Sequence, residues 1–179
     1  METKFYYIHG LPGSKKSNKF LELQKQFANI ECLEWTVNDA IDKKVDEWKQ
    51  IIISNNSNNS CVIASSTGAN FAVQLRKKIS PDFIHLVLIN PLLNVDYLVD
   101  KSIMPVQLKS YLVKFDQIKE SLILISALDS IINNMKFLEE HDVIKRSNQI
   151  IVDLEASHQF ETLHHYYKDI NLLVNSIYL

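Results

Sequence analysis

Glycine is scarce in this chain. Average usage of about 7% would supply roughly a dozen, yet the 179 residues hold only Gly10, Gly13 and Gly68. Such sparing use implies that each stands where the backbone leaves no choice. Cysteine is nearly absent too, and Cys32 and Cys61 both fall in stretches that read as buried strands. Reduced core thiols are therefore expected, rather than a disulfide or a metal site. There is no excess of either charge: 19 Lys and Arg against 21 Asp and Glu give a net charge of −2. That excludes the basic footprint of a nucleic-acid partner and a polybasic membrane patch. No apolar run approaches the roughly 18 residues of a membrane span, and METKFYYIHG has no basic segment followed by a long apolar one. A cytoplasmic protein with no membrane span is expected. What remains, 46% hydrophobic and 22% charged residues in 20.7 kDa, suits a single domain over residues 1–179.

What is present alternates. Lys4 to Ile8, Ile30 to Trp35, Cys61 to Ala64, His85 to Asn90, Ser121 to Ser126 and Gln149 to Leu154 read as six strands. Between them lie helical stripes. Phe20, Leu23 and Phe27 follow a cap at Ser14 or Ser17, and Val37, Ile41, Val45, Trp48 and Ile52 follow a Thr36/Asp39 capping box. Phe71, Leu75 and Ile79 make a third stripe, Ile131, Met135 and Leu138 a fourth, and Phe160, Leu163, Tyr167, Ile170, Val174 and Ile177 the last. Ser54 to Ser60 is a polar loop and Pro81 a breaker. Residues 92–118, cut by Pro105, read as two short covering helices or a small lid over a pocket. The pattern predicts an α/β fold of about six mostly parallel strands with helices on both faces. Right-handed crossovers then align every strand's C-terminal end along one edge, where such sheets carry their sites.

The stretch CVIASSTGAN, Cys61 to Asn70, runs strand, tight turn, helix, and is centred on Ser66. It fits a G-x-S-x-G nucleophile elbow with Ala64 for the first glycine and Gly68 for the second. A plain Ser/Thr-rich loop would also fit. Beyond other strand ends stand His9-Gly10-Leu11, Asp129 and His158. Each has an ordinary alternative: Asp129 as a helix cap, His158 as a surface residue, His9 as a brace for its loop. Together they make nucleophile, acid and histidine in the chain order of α/β-hydrolases. A serine hydroxyl needs an imidazole base, here His158, and the imidazole needs a carboxylate, here Asp129. The tetrahedral oxyanion needs preorganised donors worth about 3 kcal/mol each. The amide of Thr67 is one candidate and, since Pro12 has none, that of Leu11 is the other. His9, Gly10 and Gly68 would support the loops, with no metal or cofactor.

On YIHGLPGSKKSNKF, ASSTG, ISALDSII and ASHQFETLHHYYKDI, the chain resembles the small bacterial YqiA-like and YcfP-like esterases of the α/β-hydrolase superfamily. The resemblance implies a trimmed α/β-hydrolase fold lacking the first two strands of the full fold. It also implies hydrolysis of a small acyl ester or thioester through Ser66, Asp129 and His158. The family usually has glycine where Ala64 stands, glycine near the start of the acid loop where Ser126 and Ala127 stand, and more glycine before the histidine than Ala156-Ser157. Two rival readings remain. One is a catalytically impaired relative that binds a molecule in the same pocket. The other is a nucleotide-binding protein, because GLPGSKKS is one residue from a phosphate loop, with Lys16 and Ser17 in place, Lys15 at the second glycine position and IIVDLE as a second motif.

Overall fold

Three of the strands are six-residue runs buried along their whole length, which only a sheet covered on both faces can hold. The computed structural model describes residues 3–55, 59–79 and 83–175. Its strands are β1 Lys4–Ile8, β2 Glu31–Cys32, β3 Ser60–Ser65, β4 Ile84–Ile89, β5 Ser121–Ser126 and β6 Gln149–Asp153. They form one sheet in the order β2-β1-β3-β4-β5-β6, every pairing parallel. The register sets Ile8 beside Ala64, Ser65 beside Ile89, and Ser126 beside Asp153, so the strand ends share one edge. From β1 the chain steps outward to β2, then returns to β3 and proceeds the other way. The gap between the ends of β1 and β3 is thus the switch point of the sheet, where open α/β folds bind ligands.

Alternation along the strands divides the core in two. Tyr6, Ile8, Val62 and Leu86 join Trp35, Trp48, Phe71 and Phe115 on one face; Phe5, Tyr7, Ile63 and Val87 join Phe20, Phe27, Phe160 and Ile170 on the other. The first face is covered by α2 (Ile41–Ser54), α3 (Thr67–Lys78) and the chain after β4, the second by α1 (Asn18–Gln26) and α7 (Tyr167–Asn175). Both cysteines are free, Cys61 buried and Cys32 half-buried. No described helix is long and apolar enough to cross a membrane.

Several elements differ from expectation. The second strand is only two residues long. Ser17, of the two proposed caps, accepts the Phe20 amide. The Thr36/Asp39 pair closes a turn instead of a helix: Asp39 accepts the Thr36 amide at 2.6 Å, but α2 starts at Ile41, leaving Val37 outside it. The fourth stripe is corrected as well. Helix α5 (Asn134–Glu140) is capped by Asn133 and followed by a separate α6 (Asp142–Ser147), so Ile131 precedes the helix and Met135 is exposed. The Asp129 carboxylate takes the amides of Ile131 and Ile132 in a cap-like turn, but the helix begins only at Asn134. Phe160 and Leu163 lie in a loop and a 3-10 turn ahead of α7. Over residues 92–118 the chain forms 3-10 turns and α4 (Val106–Lys109), and buries Leu93, Met104, Leu108 and Phe115 in the first core. Pro81, Ile177 and the middle of the 54–60 loop lie outside the described residues.

Gly68 is the point where α3 leans on the end of β1. A Cβ there would stand 2.3 Å from the His9 carbonyl oxygen and 2.6 Å from that of Ile8, backbone atoms that cannot move aside. Gly68→Ala is expected to destabilise the fold by about 1–3 kcal/mol or more through overpacking; urea unfolding of the two proteins checks it.

Candidate active site

Strand β3 ends at Ser65 and α3 begins at Thr67, so Ser66 alone makes the turn. It does so at φ 52° and ψ −122°, a left-handed conformation costing on the order of 1–3 kcal/mol for a residue with a side chain. The strain is held by backbone bonds. The Ser66 amide donates to Ile89 O at 2.9 Å, and its carbonyl accepts from Leu92 and Ala69. Thr67 opens α3, so its N–H is among the first-turn donors with no acceptor within the helix, at the positive end of the helix dipole. On the other side, Gly10 is so close that a Cβ would stand 2.8 Å from Ser66 Cβ. That contact sets the first loop, in which Leu11 follows, against the serine turn. Ala64 stands where a glycine is usual in such elbows, and its buried methyl joins the first core.

Asp129 and His158 meet beyond the ends of β5 and β6. Nδ1 of His158 lies 2.9 Å from both carboxylate oxygens, with the Asp129 side chain 2% exposed and that of His158 16%. Asp129 thus fulfils a capping-type role and a histidine contact at once, accepting from Ile131, Ile132 and His158. Ser66 and His158 are not hydrogen-bonded to each other in this structure; the His158 loop is tied to the end of β4, which the Ser66 amide also meets, by Asn90. This residue follows β4 directly, at φ 42° and fully buried. Its Nδ2 donates to the carbonyls of Ser157 and His158, and its Oδ1 accepts the Ser126 amide at 2.7 Å. Ser126 in turn donates its hydroxyl to Ala156 O and accepts the Leu128 amide. One buried asparagine therefore ties the Asp129 loop and the His158 loop to the strand beside the elbow.

Asp153, the last residue of β6, fixes the other end of the histidine loop. Its carboxylate accepts the amides of Glu155 and Ala156 and the hydroxyls of Thr162 and Tyr166. Burial opposes its ionisation, but these bonds prevail and hold its pKa down at about 2. The IIVDLE carboxylate is thus spent on loop structure. Asn90, Ser126 and Asp153 escaped the sequence reading; the available signal was that each is the polar residue closing an otherwise apolar strand.

His9 faces Trp35. Nε2 accepts the Trp35 amide, which leaves Nδ1 to donate to Gly10 O at 2.9 Å, and the indole N–H returns to His9 O. The rings stack at 5.3 Å, and burial pushes the imidazole pKa below its ordinary value. Gly13 folds back on the same histidine, since a Cβ there would stand 2.8 Å from Nδ1. The GLPGSKKS loop is accordingly wound around His9 and Ser66, and Ser17 serves as the cap of α1. Between this loop and His158 opens a cleft of about 320 Å³, floored by Tyr7 and Ser65, whose hydroxyls are bonded at 2.9 Å.

Neither a protein-family profile nor a curated protein sequence matches the chain. Solved structures do. The ydeN gene product of Bacillus subtilis superposes with a TM-score of 0.69 at 12% identity, over 96% of this chain and 98% of that one. An esterase from Pyrococcus furiosus gives 0.67 at 15% identity, over 97% and 80%. A serine hydrolase from Cycloclasticus zankles gives 0.63 at 14%, over 98% and 91%. The fold of this protein is that of the α/β-hydrolases.

The Asp153 anchor has a pH signature. A carboxylate depressed on folding contributes stability that is complete above its unfolded value near 3.9 and is lost as pH falls through about 2. The difference in urea midpoint between the natural protein and Asp153→Asn is expected to be constant at pH 5 to 7 and to shrink between about pH 4 and pH 2. A constant difference down to pH 2 would mean that the carboxylate is not held by these bonds.

Proposed function

We propose that the protein is a serine hydrolase that cleaves a carboxylic ester or thioester through Ser66, His158 and Asp129. The observation that carries this reading is the Asp129–His158 pair at the same sheet edge as the strained Ser66 turn. The reaction follows from the groups present. Ser66 Oγ attacks the acyl carbon while His158 Nε2 takes the hydroxyl proton, a contact that tightens once substrate is bound. Asp129, accepting from Nδ1–H, fixes the tautomer and offsets the charge the imidazole gains. The oxyanion is met by the amides of Thr67 and Leu11. Collapse expels the alcohol or thiol with the proton from Nε2 and leaves an acyl-serine. Water, activated by the same imidazole, attacks the acyl carbon and restores Ser66 with release of the acid.

His9, Gly10 and Gly68 act as loop supports in this scheme, and no cofactor takes part. The segment 92–118, packed over the end of β4, would bound the acyl group as a fixed cover. That the structural neighbours include a serine hydrolase and an esterase supports the reaction class. The motifs resembling YqiA-like and YcfP-like esterases support a small acyl ester or thioester as substrate.

Intact mass after treatment with a fluorophosphonate is expected to show one adduct on the natural protein and none on Ser66→Ala. A folded protein that takes no adduct would instead be a binding protein with this fold. Asp129→Asn is expected to lower kcat about 10⁴-fold, by analogy with other triads; a near-normal rate in steady-state assays would place the acid elsewhere.

A further inference from the structure

The cleft between the first loop and His158 is not the apolar slot that a simple acyl chain would need. Besides His158, Tyr7 and Ser65, it is bordered by Lys16 in the loop and Lys19 at the start of α1. Three lysines come close together in the chain, and their fates differ. Lys15 is paired with Glu34 at 3.2 Å, whereas neither Lys16 nor Lys19 has an ion-pair partner among the described residues. The carboxylates whose charge reaches Lys19 are Asp129 and Glu161. Both are committed, Asp129 to His158 and two amides, Glu161 to the amide and hydroxyl of Ser157.

Lys19 is half-buried. Burial pushes its pKa down to about 8, against the pull of those two carboxylates. An ammonium group withdrawn from water and left without a counterion is costly unless something restores the lost interaction. A ligand anion in the cleft would do so.

We propose that Lys16 and Lys19 form an anion subsite in the cleft beside His158, so that the preferred ester or thioester carries a carboxylate or phosphate in the half of the molecule filling this cleft. The inference rests on the hydrolase reading and names its substrate class. It also accounts for the phosphate-loop likeness of GLPGSKKS: the lysine that makes the motif suggestive faces a cleft that receives an anion.

The test uses matched substrates. For a charge in the acyl half, the mono-p-nitrophenyl ester of adipic acid is compared with p-nitrophenyl hexanoate; for the leaving half, 4-acetoxybenzoate with 4-acetoxybenzamide. In one pair the charged member is expected to have a kcat/KM roughly 10- to 100-fold higher, the scale of one hydrogen bond to a charged group. The gain should lie mainly in KM and weaken at raised ionic strength. In the Lys16→Ala/Lys19→Ala double variant the ratio should fall toward one. Equal rates for charged and neutral members, or a ratio indifferent to loss of both lysines, would overturn the proposal. Calorimetric titration with adipate reads the cleft without turnover: saturable binding by the natural protein, abolished in the double variant, supports the subsite, and no binding or equal binding refutes it. Failure of the hydrolase reading shows separately, as no fluorophosphonate adduct on the natural protein.

Discussion

The structure depends on how closely the first turn of α3 can approach the end of β1. Two carbonyl oxygens, of Ile8 and His9, occupy the space a side chain at position 68 would need. The contact brings α3 down onto the sheet and leaves Ser66 to turn the chain in a single residue. On the far side, Gly10 allows the first loop to close over that serine. None of the three glycines adopts a positive φ. They serve proximity, and the left-handed backbone positions are taken by residues with side chains: Ser66, Asn90, Glu120 and Phe160. Two of these are the turn itself and the asparagine that organises its surroundings, which is where backbone strain concentrates in functional sites.

Around this contact the site is held by buried polar groups bonded to backbone amides and carbonyls and to a few side-chain hydroxyls. Asn90 joins two loops through one amide and two carbonyls. Asp153 closes the histidine loop through two amides and two hydroxyls. Two serines add hydroxyl bonds that a glycine could not make, Ser126 to Ala156 O and Ser157 to the Glu161 carboxylate. The methyl of Ala64 is absorbed by the first core.

Much of the architecture was legible because period and composition report burial directly. Continuous apolar runs such as SLILIS and HLVLIN could only be strands covered on both faces, and their alternation with helical stripes dictated a parallel sheet. The pairing of Asp129 with His158 followed from strand ends sharing an edge. What the sequence concealed was local competition for backbone amides. Asp39 and Asp129 both look like helix caps, and both capture amides, yet each closes a turn ahead of the helix. The role of Asn90 was hidden for a different reason. Its partners lie 36 to 68 residues away, and no spacing rule reaches that far.

The same long separations govern how the molecule assembles. Helices such as α2 can begin locally, but the turn at Ser66 is held in its unfavourable conformation by β1, β4 and the chain after β4, segments that lie far apart in sequence and join only through parallel pairing. Parallel pairing is slow because the closure of long loops precedes any reward. Until those segments dock, nothing holds position 66 in its left-handed conformation. The geometry of the turn is thereby coupled to completion of the fold, and a half-made chain emerging from synthesis does not yet carry it.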